Sequence, residues 1–444
     1  MIKQLTTGSP NKILWRYATP MLVSVIFQQL YNIADSVIAG KCISDDALAA
    51  IGVSYPVTMI YMAFAVGSNI GCSVVISQLF GAGRYHRMKT AIFTSLISAA
   101  VLSVILSAMG ILFCKTLLRL LNTPEEIMAD SAAYLYIYTA GFIFVFMYNI
   151  CTATFTALGD SLTPLIFLIA SSIGNVVADL IFVLVLDMGV PGLAWATFIS
   201  QGIAALLAYK VLLKKIYTIR TTKFVFFSTL MLRKIAKLAI PSILQQSFVS
   251  VGNLFIQGII NSYGATVIAG YSAAIKLNTF AVTLSATSSN SLSGFTAQNI
   301  GAGKIDRIGG GFKAGLTIAL CVILPFVIGY SFFGDTIMQL FVNSGSTQVI
   351  DVGVRFLRIV APFYLICIVK GASDGVLHGS AAILYFMAGT FTDLILRVIL
   401  AYILPGALHI GVTGIWISWP IGWVISTAMA YYFYKSGKWK GVRI

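Results

Sequence analysis

Apolar residues run through nearly the whole chain in long stretches, parted by short breaks that carry glycine, proline and most of the charge. A helix that crosses a bilayer needs about 20 mostly apolar residues. Twelve stretches qualify, centred near residues 27, 63, 101, 142, 175, 202, 249, 282, 319, 366, 396 and 423. No segment is long and polar enough to form a soluble domain. The pattern predicts an all-α integral membrane protein of twelve transmembrane helices.

The pattern is written twice. Gln78-Leu-Phe-Gly-Ala-Gly-Arg-Tyr-His-Arg87 returns 220 positions later as Gln298-Asn-Ile-Gly-Ala-Gly-Lys-Ile-Asp-Arg307, each copy just past a long apolar stretch. With an offset of 218, Asp35-Ser-Val-Ile-Ala-Gly40 lies over Asn253-Leu-Phe-Ile-Gln-Gly258. With offsets of 219 and 222, Leu158-Gly-Asp-Ser161 lies over Leu377-His-Gly-Ser380, and Gly189-Val-Pro-Gly192 over Gly411-Val-Thr-Gly414. Six spans per half make the repeats parallel, as in one class of transporters. The expected organisation is an N-terminal six-helix lobe (1–215), a basic linker (216–233) and a C-terminal six-helix lobe (234–444). The two pseudo-symmetric bundles are expected to flank a central cavity. The Gly-Ala-Gly runs lack the phosphate-loop pattern and read as helix C-caps and tight turns.

Composition agrees with this reading. Of 444 residues, 58% are hydrophobic and 10% charged, against roughly 25% charged in soluble domains. The net charge of +15 is a topology signal rather than a nucleic-acid footprint. Alternating loops hold 21 Lys and Arg, whereas the other set holds Lys41, Lys115 and Arg119, and such basic loops face the cytoplasm. Both termini are therefore expected on the cytoplasmic side of a cell membrane. The first apolar segment is too long for a signal-peptide core and is read as a retained helix. The six cysteines (42, 72, 114, 151, 321, 367) show no CxxC spacing and read as small buried residues. His86, His378 and His409 are scattered. No nucleophile–base pair, metal cluster or cofactor loop stands out, so neither an enzyme nor a bound cofactor is expected.

Charges inside the spans carry the candidate chemistry, because each costs about 2.5–3.5 kcal/mol at the bilayer centre and must face water or a partner. The acids are Asp35, Asp179, Asp374 and Asp393; the bases are Lys276, Lys370 and Arg397. Lys370 and Asp374, and Asp393 and Arg397, are four apart on one helix face and can pair, so they are expected to be structural ion pairs. Asp35 and Asp179 have no base within a turn of helix. A carboxylate held out of water and away from bases keeps a proton more readily, or offers oxygen ligands to Na⁺. Gln28, Asn32, Asp35 and Ser36 form a polar stripe on helix 1. Ser171, Ser172, Asn175 and Asp179 do the same on helix 5, and Thr197 lies across a turn on helix 6. A cluster that merely packs helices through hydrogen bonds is the plainer alternative. Tyr31, Tyr55 and Tyr61 lie near the stripes and can stack on a flat cation. Gln246 and Asn253 on helix 7, and Lys276 and Asn278 on helix 8, are candidates for the opposite cavity wall.

Twelve spans in two halves, the doubled Q-x-x-G-A-G-[RK]-x-x-R and Leu158-Gly-Asp-Ser161 together resemble the multidrug and toxic compound extrusion (MATE) family, from about Pro20 to Tyr434. The resemblance is to its DinF-like branch, where an Asp on helix 1, an Asn and an Asp on helix 5 and a Thr on helix 6 form a cation-coupling site. That implies Asp35, Asn175, Asp179 and Thr197 here, and makes Pro20 the place where helix 1 bends. The NorM-like branch has a Glu on helix 7, and 239–262 contains no acid. The resemblance implies a monomeric secondary active exporter of amphipathic, cationic organic compounds, driven by H⁺ or Na⁺ antiport through alternating access. A lipid-linked saccharide flippase of the wider superfamily is the nearest alternative, and a channel a more distant one.

Overall fold

A computed structural model describes residues 4–38, 43, 45–121, 123–219, 221, 223–340 and 347–441; for 35–37, 45, 46 and 48 it describes the backbone alone. The calls on the side chains of Asp35 and Ser36, and those on Lys41 and Cys42, thus fall outside the described residues. The chain folds into α1 (Pro10–Ile38), α2 (Asp45–Gly81), α3 (Tyr85–Leu120), α4 (Glu125–Ala157), α5 (Leu162–Leu180), α6 (Gly189–Thr218) and α7 (Thr229–Asn261). There follow α8 (Ala265–Gly301), α9 (Asp306–Phe332), the short α10 (Gly334–Gln339), α11 (Thr347–Val360), α12 (Tyr364–Gly379), α13 (Ile383–Ala407) and α14 (Val412–Lys435). A 3-10 turn at Ala361–Phe363 joins α11 to α12 as one rod. Eleven rods among the described residues are long and apolar enough to span a bilayer. The twelfth, α1, is diluted by Gln28, Gln29, Asn32 and Asp35 in its second half. Every expected centre lies within a helix, which is the form that satisfies backbone groups where water is absent.

Two compact units divide the chain, and the divisions fall inside helices. One unit takes in Thr19–Ser247; the other combines Leu5–Ala18 with Phe248–Ile444. Each unit has the same internal plan. In the first, α4 packs against α2, α3 and α6, and α5 against α6. In the second, α12 packs against α8, α9 and α14, and α13 against α14. A hydrogen bond also repeats: Asn69 Nδ2 donates to Asn149 O (3.0 Å), and Ser289 Oγ to Gly371 O (2.6 Å). Small residues allow these close approaches, as is usual where lipid gives helices no hydrophobic reason to associate. A Cβ added at Gly375 would lie 2.6 Å from Ser289 O.

Both Gly-Ala-Gly runs form the expected turn, with identical bonding. Gly83 N–H donates to Phe80 O and Arg84 N–H to Leu79 O; Gly303 N–H donates to Ile300 O and Lys304 N–H to Asn299 O. Gly83 and Gly303 have φ of +68° and +71°, the left-handed C′ geometry that favours glycine. The same turn corrects a register. Gly159 (φ +75°) closes α4 with bonds from Gly159 N–H to Thr156 O and Asp160 N–H to Phe155 O. After α12, Ala381 (φ +63°) takes that role, with bonds from Ala381 N–H to His378 O and Ala382 N–H to Leu377 O. The offset here is therefore 222 rather than 219, the value also found at Gly189 and Gly411.

The inner packing of the second unit centres on Trp416 (fully buried), stacked on Tyr271 and edge-on to Phe356. In the first, Tyr61, Phe142 and Phe146 form a comparable aromatic core. Arg355 and Arg358 on α11 follow the turn at the end of α9 opposite the basic loops, and add two bases to that sparse set. Asp351 (3.0 Å) and Asp335 (2.5 Å) pair with them.

Candidate cation and substrate site

In the first half the site is built on α5, whose faces are inverted relative to a soluble helix. Its buried residues are Pro164, Asn175 and Asp179, whereas Ile166, Ile173 and Val177 are at least half exposed. A helix between lipid and protein turns apolar side chains to the hydrocarbon and keeps polar ones inside. Asn175 and Asp179 retain 3% and 1% of their exposure. Asn175 Nδ2 donates to Thr197 Oγ1 on α6 at 3.4 Å. Directly after Asp179 and Leu180 the helix widens into a π turn, Ile181–Val185, a distortion that recurs at functional sites. Ile38, Val183 and Leu193 pack together at this end of the first unit. A carboxylate, an amide oxygen and a hydroxyl are hard oxygen donors suited to a proton or a small hard cation. Among the described residues, no group of three or more His, Cys, Asp and Glu has metal-site geometry.

The remaining candidates separate by burial. Gln28 and Asn32 are exposed on α1, Tyr31 is half-buried, and Tyr55 is 59% exposed on α2. Tyr61 proves to be a packing residue instead. It is buried, edge-on to Phe142, and its hydroxyl donates to Leu106 O at 2.9 Å, so its ring has no open face. Gln246 is half-buried, and Asn253 and Lys276 are exposed. Asn278 is also internal: its Oδ1 accepts from the Tyr364 hydroxyl at 2.8 Å. Pro20 lies within α1.

The second half carries both expected ion pairs. Lys370 bonds Asp374 at 2.5 Å, and Arg397 bonds Asp393. All four are largely buried and share one neighbourhood, since Asp393 lies within electrostatic reach of Lys370 and Asp374. The Arg397 guanidinium also sits 4.1 Å above the Trp419 ring, a cation–π contact strengthened by desolvation. In the corrected register Arg397 stands at the position of Asn175, Trp419 at that of Thr197, and Ala401 (0% exposed) at that of Asp179. An offset of 218, as at Asp35 and Asn253, would instead set Asp393 and Arg397 against Asn175 and Asp179, one helical turn away.

Sequence reasoning missed a third polar cluster. Asp160, in the turn before α5, is 3% exposed. Its carboxylate accepts from Lys215 Nζ, the Thr163 hydroxyl (2.9 Å) and the Thr163 N–H (3.2 Å). Lys215 also donates to Thr163 Oγ1 (2.7 Å) and lies over Phe155. Burial alone would raise the Asp160 carboxyl, but the bonds from Lys215 and Thr163 outweigh it and hold the group below its ordinary range. Fifty-five residues separate Asp160 from Lys215, so no local spacing announces the pair.

A sequence profile of the MatE family matches residues 20–181 and 241–403, one segment in each half. The chain belongs to the MatE family. Among MatE relatives, the probable multidrug resistance protein YpnP of Bacillus subtilis (strain 168) is 28% identical over 447 aligned positions, covering 99% of this chain and 98% of YpnP. A FAD transporter of Shewanella oneidensis is 24% identical over 356 positions, covering 78% and 77% of the two chains. A solved structure described as the outward-facing conformation of a multidrug resistance MATE family transporter shares the fold at a TM-score of 0.91. It is 23% identical, and the match covers 97% of this chain and 96% of that one. The MatE chain is thus a multi-pass membrane transporter of the multidrug efflux class, with two repeated six-helix lobes.

Proposed function

We propose that the chain is an ion-coupled exporter of amphipathic, cationic organic compounds, with Asp35, Asn175, Asp179 and Thr197 as its coupling cluster and H⁺ or Na⁺ as the coupling ion. One observation carries the reading: α5 withdraws only Asn175 and Asp179 with Pro164 from its surroundings, and aims Asn175 at Thr197. A buried acid on an otherwise lipid-facing helix is a functional site by default. Ion binding there changes the charge of the first-half cluster, and α1, which carries Asp35 and Pro20, responds by bending. Proline removes one helical hydrogen bond at that point. The protein works as a monomer in the cell membrane with both termini in the cytoplasm, and it uses no bound cofactor.

Efflux of a cationic dye from proteoliposomes under an imposed pH or Na⁺ gradient tests this. Asp35→Asn and Asp179→Asn are expected to lose gradient-driven efflux, and Asp374→Asn to retain it. Normal transport by both first-half variants would remove the assignment. A second reading is an anionic flavin cofactor as cargo. The similarity to a FAD transporter and the exposed Lys276 favour it, and FAD loaded in the same vesicles decides between the two. Flipping of lipid-linked sugars without dye efflux would point to the flippase alternative.

A further inference from the structure

The second Gly-Ala-Gly motif does more than turn the chain. Gln298 Oε1 accepts the Leu5 N–H at 2.8 Å, and Asn299 Nδ2 donates to Leu5 O at 3.2 Å. Lys304 Nζ donates to Thr6 O at 2.9 Å. Leu5 and Thr6 are 3% and 5% exposed, and Gln298 and Asn299 are fully buried. Asn299 is itself braced, since its Oδ1 accepts from Arg307 Nε at 2.9 Å. Leu5 is therefore gripped by both of its backbone groups, independently of its own side chain. The grip continues into α1, where Pro10 packs against Gly310, and a Cβ at Gly294 would lie 2.8 Å from the Tyr17 hydroxyl.

The segment leading into α7 is also tied down, by other chemistry. Val225 N–H donates to Thr90 Oγ1 (3.2 Å) and Ser228 N–H to Thr94 Oγ1 (3.1 Å) on α3, while Phe224 stacks on Phe93. Each half's first helix is therefore preceded by an anchored strap. For α1 the anchor has a mechanical consequence. Leu5–Ala18 belongs to the second compact unit and Thr19–Ser247 to the first, and Pro20 lies just past that division. Ordering an irregular segment costs about 1–2 kcal/mol per residue in backbone entropy, so buried side chains devoted to its backbone form a built receptor.

We propose that Gln298, Asn299 and Lys304 are positioning residues for transport. They clamp the backbone of Leu5 and Thr6 and fix the beginning of α1 to the second-half bundle, so that α1 bends at Pro20 rather than sliding as a whole. This rests on the export reading above. The clamp stays closed throughout the cycle.

Two measurements on the full chain test it. In the first, Thr6→Cys and Lys304→Cys are introduced into a transport-competent background that lacks the native cysteines. The two positions are joined by a short, reducible bis-methanethiosulfonate linker. The reduced form is expected to export dye roughly tenfold more slowly, the scale of one lost charged hydrogen bond, with dye affinity unchanged. Bridging restores the rate, and reductant lowers it again. Equal rates in the bridged and reduced forms, or a bridge that stops transport, would overturn the clamp. The second measurement is amide hydrogen exchange in Asn299→Ala, which does not depend on transport. Residues 5–18 are expected to exchange at least about tenfold faster while 19–34 stay protected. Unchanged protection of 5–18 would sink the proposal. A background protein that moves no dye under either gradient counts against the export reading, and the exchange result then still judges the clamp.

Discussion

α5 and α13 hold matching places in the two halves and both bury a polar pair four residues apart, yet the pairs have opposite characters. On α5 an amide and an acid are buried beside Thr197, and that helix supplies no base. On α13 the acid Asp393 is neutralised by Arg397, which rests on Trp419. In register, Asp179 meets Ala401 and Thr197 meets Trp419. The two halves therefore keep one scaffold, while the acid of α13 has a basic partner on its own helix and the acid of α5 does not.

Substitutions in both halves sharpen this contrast. The largest effect is expected from Asp179→Asn, which should reduce gradient-driven dye efflux to the leak rate of protein-free vesicles while thermal unfolding in detergent stays close to the parent. Asp393→Asn should do the reverse. It leaves Arg397 buried without its countercharge, at a cost of roughly 3–5 kcal/mol, seen as a lowered unfolding midpoint. The double change Asp393→Leu with Arg397→Leu should be milder than the single one, because it removes the stranded charge. A double variant that is more damaged than Asp393→Asn would show that the pair has a role beyond neutralisation.

Asp160→Asn comes next, at about 2–3 kcal/mol for a buried charged hydrogen-bond set. The Asp160 carboxyl is held below its ordinary value, so its stabilisation is complete above that value, about 4, and fades as pH falls through the lower folded value. The stability gap between parent and Asp160→Asn should be constant from neutral pH to about 5 and narrow only in stronger acid. The smallest effect is a gain. Ala381 adopts the left-handed turn that Gly159 makes in the first half. Ala381→Gly should therefore stabilise by about 0.5–1 kcal/mol, and Gly159→Ala should destabilise by a similar amount.

Much of this was legible in the chain. Apolar length placed all twelve rods, and i,i+4 spacing anticipated both second-half ion pairs, because helix geometry alone makes those neighbours. Asn175 with Asp179 was legible for the same reason. The Asp160–Lys215 bond, the Gln298–Leu5 grip and the burial of Tyr61 were not, since each joins residues far apart in sequence or depends on which face a helix turns inward. The repeat register failed at Leu377-His-Gly-Ser380 because letter matching aligned a glycine with the wrong residue of the turn.

By itself, the order of residues determined a membrane-spanning, duplicated, all-helical protein with one lobe rich in paired charges and one holding acids without local bases. Those properties follow from bilayer thickness, backbone hydrogen bonding and the 3.6-residue period, which act locally along a helix. Only the tertiary structure decided that Asn175 and Asp179 face inward and that Asp160 locks to Lys215. It also decided that the second copy of a repeated turn grips the segment that leads into α1. Such outcomes depend on which surfaces meet, and packing between distant segments has no signature in local spacing.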